Sequence, residues 1–215
     1  MSLAANYTMT THEALSILTL AIKNVNPCYI RIDAIPDCDI KRIQVERSFA
    51  YELYHQWSLL LDTFWNLNPQ NDKLRLNGEI TKDLDLISHS YPDMVLHSGQ
   101  ESLENQLLVC EIKRVDRAYP DSSKIFDDLK KLSQFLHLRA SKGMDQKDAN
   151  FQSAVFIVAN IGKKGLENKI KDALAKKTAE TINILSDANN INCISVEINE
   201  QEKLEVSLFT LDELF

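Results

Sequence analysis

The sequence contains no CxxC pair and no histidine spacing of the kind that holds zinc. Its cysteines, Cys28, Cys38, Cys110 and Cys193, are scattered. They read as reduced thiols of a cytoplasmic protein, with no zinc site expected. No apolar run approaches the ~20 residues of a membrane span, and no signal peptide is recognisable. The basic loop Gly162 to Gly165, which carries Lys163 and Lys164, lacks the GxxxxGK(S/T) spacing of a phosphate-cradling loop, so no nucleotide cofactor is expected. Internal repeats, low-complexity linkers and coiled-coil heptads are also missing. What remains is an ordinary globular composition. A chain of 215 residues is one domain, long enough to bury a good core without staples.

A surplus of basic charge is missing too. The net charge is −7, which at first argues against a nucleic-acid partner. The distribution argues less. Residues 1–110 carry 8 basic and 14 acidic side chains, 111–177 carry 15 and 9, and 178–215 carry 1 and 8. The middle third is therefore positive, and a local basic face is what phosphate contacts need. The plainer alternative is that these lysines decorate exposed helix faces.

The informative stretch is Tyr91 to Arg114. Met94 to His97 reads as one strand and Leu107 to Ile112 as a second, with turn-forming residues between them. Asp93 opens the first strand and Glu111 closes the second. Period-2 alternation points Glu111 and Lys113 to one face and Ile112 to the other. Antiparallel pairing then brings Asp93 beside Glu111. Two carboxylates and an ammonium meet at the end of a sheet, and carboxylates are the preferred ligands of Mg²⁺.

Pro92-Asp93, a hairpin, and Glu111-Ile112-Lys113 at the end of an apolar strand resemble the PD-(D/E)XK nuclease superfamily. The chain is similar to uncharacterised bacterial stand-alone, restriction-endonuclease-like members of it. Glu46-Arg47, Glu79, His97 and Asn105 match further positions of that pattern, as does the helix Asp128-Leu129-Lys130-Lys131-Leu132. The match covers roughly residues 40 to 160. Pro-Asp also occurs at Pro36-Asp37 and Pro120-Asp121, and Asp39, Asp128, Asp145 and Glu167 start other acid-x-Lys triplets. Only Glu111 ends a strongly apolar strand preceded by a Pro-Asp strand, so context carries the signal.

The resemblance implies a fold and a chemistry. The fold is a restriction-endonuclease-like α/β core, a mixed central sheet flanked by helices in αβββαβ order. It would span 37–160, with an N-terminal helical extension (1–36) and a C-terminal helix plus hairpin (161–215). The implied activity is Mg²⁺-dependent phosphodiester hydrolysis, most naturally of DNA, with Mn²⁺ able to substitute. Asp93, Glu111 and the Ile112 carbonyl would hold one or two ions, with Glu46 helping. Lys113 would orient or deprotonate water, or neutralise the transition state. The alternative is an inactive nuclease-fold protein that binds DNA or protein. A homodimer is left open.

Along the chain, Thr10 and Glu13 fit a capping box, with a helix that ends before Pro27. Cys28 to Ile35 alternates weakly, as a short strand would. A long helix, Asp39 to Asn66, presents Ile43, Ala50, Leu53, Trp57, Leu60 and Phe64 on one face, and Glu46 falls on it. A carboxylate there is costly unless paired or bound to metal, so Glu46 is either a site acid or half of an ion pair with Arg47 or Arg75. Tyr54 and Trp57 suit the core better than base stacking. Leu74 to Lys82 alternates as a strand. Its Glu79 is a ligand, a supporting acid or an exposed carboxylate. His97 holds phosphate, orients a carboxylate or merely ends a strand. A helix from Lys124 to Ala140 buries Ile125, Leu129, Leu132 and Leu136. On it, Lys131 and Gln134 reach the site or stay solvated. Ser141 to Asn150 is a polar loop able to fold over substrate. Ala154 to Asn160 is a buried strand, parallel to one neighbour. A helix from Leu166 to Asp187 and a terminal hairpin, Cys193 to Ile198 with Leu204 to Phe209, complete the reading. Arg114, Arg117, Lys130, Lys163 and Lys164 are the candidate nucleic-acid contacts.

Overall fold

Thr10 and Glu13 do close a capping box. Glu13 N donates to Thr10 Oγ1 at 3.2 Å and Thr10 N donates to Glu13 Oε2 at 2.8 Å. These bonds satisfy donors that a helix start otherwise leaves orphaned, and helix α1 (Thr11–Asn24) follows. It buries Ala14, Leu15, Leu18, Ala21 and Ile22, the stripe its spacing predicts. The computed structural model describes residues 8–31, 39–69, 74–78, 92–98, 106–115, 122–137, 150–176 and 178–215, with backbone alone for 39–45. Glu79, Asn105, Arg117, the polar loop at 141–149 and the connections around them lie outside the described residues.

The expected strand at Cys28 to Ile35 is instead a one-turn helix, α2 (Cys28–Arg31); residues 32–35 lie outside the described set. The local reason is Asn26-Pro27. Asn26 Oδ1 accepts from Cys28 N at 3.0 Å, and Arg31 N donates to Pro27 O at 3.1 Å. An Asn cap before a Pro with pre-set φ starts a helix, and this outweighs the weak alternation of Ile30 and Ile32. Helix α3 (Asp39–Leu67) is the longest. Its buried stripe is Phe49, Leu53, Trp57, Leu61 and Trp65, so the predicted face is offset. Ala50, Leu60 and Phe64 only flank it. Trp57 is core, as expected.

Six strands form one mixed sheet in the order of the chain: β1 (Arg75–Gly78), β2 (Met94–His97), β3 (Gln106–Arg114), β4 (Ser153–Ala159), β5 (Ile191–Ile198) and β6 (Leu204–Thr210). β1, β2 and β3 pair antiparallel, and β6 pairs antiparallel with β5. β4 is parallel to both of its neighbours, β3 and β5, rather than to one. Between them lie α4 (Ser122–Leu136), α5 (Lys163–Leu174) and α6 (Ala179–Ser186). The predicted helix from Leu166 to Asp187 is thus two helices. Thr178 caps the second by accepting from Thr181 N, and Thr181 Oγ1 turns back to Lys176 O at 2.6 Å. The core order α3-β1-β2-β3-α4-β4 is the expected αβββαβ, with α1 before it and helices and a hairpin after.

Alternation sorts the sheet's side chains onto two cores. Met94, Leu96, Leu108, Cys110, Ile112, Val155, Ile157, Ile194 and Val196 face α1, α2 and α3. Val95, Val109, Ala154, Phe156, Val158, Ile191 and Cys193 face α4, α5 and α6. A strand covered on both faces has no polar side to show, which is why β4 reads as a continuous apolar run. The α4 stripe of Ile125, Leu129, Leu132 and Leu136 is buried as predicted. Among the described residues no helix is long and apolar enough to cross a membrane.

Candidate functional site

The register sets the site. Met94 faces Cys110 across β2 and β3, and Asp93 N donates to Cys110 O at 3.1 Å. One step on, the backbone partner gives way to a side chain: Ile112 N donates to Asp93 Oδ2 at 2.6 Å. A strand residue's N–H and C=O point to the same neighbour, so the Ile112 carbonyl also faces the Asp93 side. β2 ends there and β3 continues, leaving Glu111, Ile112 and Lys113 at an open corner of the sheet.

Parity puts Glu111 and Lys113 on the α4 side, opposite Cys110 and Ile112. Glu111 is only 2% exposed, and its Oε1 stands 2.6 Å from Lys131 Nζ. Lys113 Nζ lies 3.8 Å from Asp128 Oδ1 and 3.8 Å from Glu46 Oε1. Asp128 and Lys131 are three residues apart on α4, hence on one helix face. Glu46 arrives from the other layer, and its Oε2 accepts from Arg114 N at 3.4 Å. Four carboxylates from α3, β2, β3 and α4 therefore converge on two ammonium groups.

The electrostatics follow from that count. Burial raises Glu111 to about 8, Asp93 adds to the rise, and Lys131 opposes it. Burial raises Asp128 to about 6, against the pull of Lys113 and Lys131. Glu46 is also raised, first by burial and then by Asp93, with Lys113 pulling it down. For Lys113, burial alone would lower the pKa. Asp128, Glu46, Asp93 and Glu111 outweigh it, so the net shift is upward. Asp93 acts on every one of these groups, which marks it as the electrostatic centre.

The residues predicted from sequence divide into three groups. Asp93, Glu111, Ile112, Lys113, Glu46 and Lys131 come together. His97 does not: it is buried at the far end of β2, four residues from Asp93 and roughly 13 Å away at strand rise, opposite Gln106 at a register shift. Gln134 is exposed on α4. Of the proposed phosphate contacts, Arg114 turns inward, with Nε and Nη2 donating to Ile30 O at 3.2 and 3.0 Å. Lys130 stands near Glu180, and Lys163 near Glu167 and over the Phe209 ring. Lys164 is exposed. Glu79 and Arg117 lie outside the described residues. Asp128 is a further site acid, beyond the residues expected from sequence. The signal was its i,i+3 spacing from Lys131.

A divalent ion fits this donor set in kind. The donors are hard oxygens, the four carboxyl groups outnumber the two close ammonium groups, and Asp128 Oδ2 is buried with no hydrogen-bond partner among the described residues. The set is not drawn tight. Among the described residues no three His, Cys, Asp or Glu side chains stand together closely enough to hold an ion as they are. Lysine ammonium groups occupy the space between them.

No protein-family model and no curated protein matches the chain. Among solved structures it is similar to SfsA of Pyrococcus furiosus in complex with Ca²⁺, at 13% identity and a TM-score of 0.33. The likeness covers 75% of this chain and 63% of that one, so this chain spans less than two thirds of its length. So loose a likeness carries nothing about the chemistry.

Proposed function

We propose that this chain is a metal-dependent nuclease that hydrolyses phosphodiester bonds, most naturally in DNA. One observation carries the reading: Glu111 is buried at the end of β3, raised to about 8 by burial and Asp93, within a group of acids that outnumbers its lysines. A carboxyl so placed either takes up a proton, as its raised pKa records, or exchanges that proton for a cation. Perturbed groups of this kind cluster at functional sites.

Asp93, Glu111 and the Ile112 carbonyl would hold the ion, with Glu46 at the rim and Mg²⁺ or Mn²⁺ the natural choice. Bound there, a divalent ion supplies Lewis-acid stabilisation of phosphoryl oxygens and acidifies water. The protein's residues do the rest. Ile112 N holds the Asp93 carboxylate in place through its other oxygen. Asp128 and Glu46 hold the Lys113 ammonium from two sides and keep it charged. Of the roles open to Lys113, this favours neutralising the phosphorane charge and orienting water over acting as a base. The side chains that would have to accept a proton are the carboxylates.

A second reading is favoured by the 2.6 Å pair of Lys131 and Glu111. A lysine so placed is a permanent counter-ion in a nuclease-like protein that only binds DNA or protein. The test is Mn²⁺ titration by calorimetry, wild type against the double Asp93→Ala, Glu111→Ala variant. Binding to wild type, lost in a variant that still melts cooperatively, is the expected result. No binding to wild type, even with a short DNA duplex or a short single strand present, overturns the nuclease reading in favour of the second.

A further inference from the structure

A cleft of about 500 Å³ runs from the acids along α3 to the edge of the sheet. Glu46 and Asp93 line its inner end, Tyr54 and Gly78 its floor, and Arg47 and Tyr51 its rim. We propose that this cleft takes an unpaired nucleotide, stacked on Tyr51 beside the phosphate to be cut, so that the substrate is single-stranded nucleic acid. The proposal rests on the nuclease reading for its setting and names the substrate form that reading left open.

Four features carry it. Tyr51 is 62% exposed, although α3 has an ample buried face elsewhere. Exposed aromatic rings at a cleft gain little from solvent and much from a base with a free π-face. A duplex offers no such face along its length, since its bases are stacked on each other. Tyr54, three residues on and on the same side of the helix, is fixed: its hydroxyl donates to Leu76 O at 3.1 Å. Its ring is therefore held as part of that floor. Gly78 keeps the floor open. A Cβ there would lie 3.7 Å from both the Asp93 carbonyl and the Tyr54 ring, in ordinary contact with each, so a side chain would fit the fold yet fill the cleft. Arg47, beside Glu46 in sequence, puts a guanidinium at the mouth, where a strand's next phosphate would pass. The cleft's size lies within the range of pockets that bury small ligands.

The experiment is fluorescence anisotropy with a short labelled oligothymidine and with a labelled duplex, using Ca²⁺ in place of Mg²⁺ so that binding is read without cleavage. The single strand should bind more tightly than the duplex. Tyr51→Ala should weaken single-strand binding about tenfold, the value of one base–aromatic stack, and Tyr51→Phe should restore it. Gly78→Val should weaken it independently. Neither Tyr51 variant should change duplex binding. Unchanged single-strand affinity in both Tyr51→Ala and Gly78→Val overturns the proposal, as does tighter binding of the duplex that is indifferent to Tyr51. The two readings fail separately. Tyr51-dependent strand binding without any Mn²⁺ binding sinks the nuclease and spares the cleft. Mn²⁺ binding lost on removal of Asp93 and Glu111, with no Tyr51 dependence, does the reverse.

Discussion

Metal binding at this corner should release a proton, and Glu111 decides at which pH. Its carboxyl titrates at about 8 because burial and Asp93 disfavour the charge more than Lys131 restores it. A cation binds the ionised form, so protons compete with it and affinity must rise with pH. With a pKa of about 8, roughly one carboxyl in ten is ionised at pH 7, so loading there expels about 0.9 proton and costs about tenfold in affinity. Between about pH 6 and 8 the apparent affinity should gain about tenfold per unit, and above about pH 8.5 it should level off. Below pH 6 the slope steepens where Asp128, at about 6, protonates as well. Calorimetric Mn²⁺ titrations in buffers of unequal ionisation heat read both affinity and protons released. Lys131→Met removes the ammonium that lowers Glu111, so the levelling point should move to higher pH. An affinity that is flat from about pH 6.5 to 8.5, with no buffer-dependent heat, would show that Glu111 is not a ligand or is already ionised. The reasoning from burial would then be wrong.

Without metal, the same shift bears on stability. The folded pKa lies above the ordinary 4.5, so this group's contribution is complete below that pH and is lost as pH rises toward 8. Glu111→Gln should therefore raise stability at pH 7 by roughly 3 kcal/mol and do little at pH 4.5; an equal gain at both would refute the titration argument, as read by urea melts. Lys113→Ala should reduce cleavage about 10²–10³-fold in a variant that melts lower than wild type but still cooperatively and keeps its DNA affinity; cleavage at the wild-type rate would remove Lys113 from the mechanism. Gly162 caps α5 without a side chain, and a Cβ there would stand 2.5 Å from Glu197 Oε1. Gly162→Ala should cost no more than about 1 kcal/mol, because the Glu197 carboxylate is the free end of a half-exposed side chain and can swing aside; a loss of several kcal/mol that Glu197→Ala relieves in a double-mutant cycle would mean the carboxylate is held in place.

How much of this was legible in the chain depended on distance along it. Strand parity put Glu111 and Lys113 on one face and Ile112 on the other, and antiparallel pairing put Asp93 beside Glu111, because a hairpin is local and its side-chain period is fixed. The α4 stripe and the Thr10 box were legible for the same reason. Asp128 was not, since a polar residue on an amphipathic helix looks solvated until the helix is laid on the sheet. The offset in α3 had a similar cause: Phe49 and Leu61 qualified for either edge of a broad apolar arc, and packing on α1 and the sheet chose. α2 and the break before Thr178 were missed although caps marked them. Apolar periodicity runs through both places, and only the local caps at Asn26-Pro27 and Thr178 set the helix starts. The contact between Glu197 and Gly162 spans 35 residues and had no local signal.

The lysines explain how such a site folds at all. Four acids in a buried corner are costly, first for the water they lose and then for their repulsion, and the raised values of Glu46, Glu111 and Asp128 record it. Lys131 and Lys113 reduce that cost in different ways. Lys131 sits directly on Glu111 at 2.6 Å, in the space a cation would need. Lys113 stands off at 3.8 Å between Asp128 and Glu46, where it can keep both partners while Glu111 and Asp93 change theirs. On the nuclease reading, then, the two have separate tasks. Lys131 substitutes for the ion during folding and gives way to it. Lys113 stays, charged, to meet the phosphate. The arrangement therefore predicts opposite signatures: removing Lys131 moves the pH at which metal binds, whereas removing Lys113 leaves that pH nearly unchanged and takes away the cleavage.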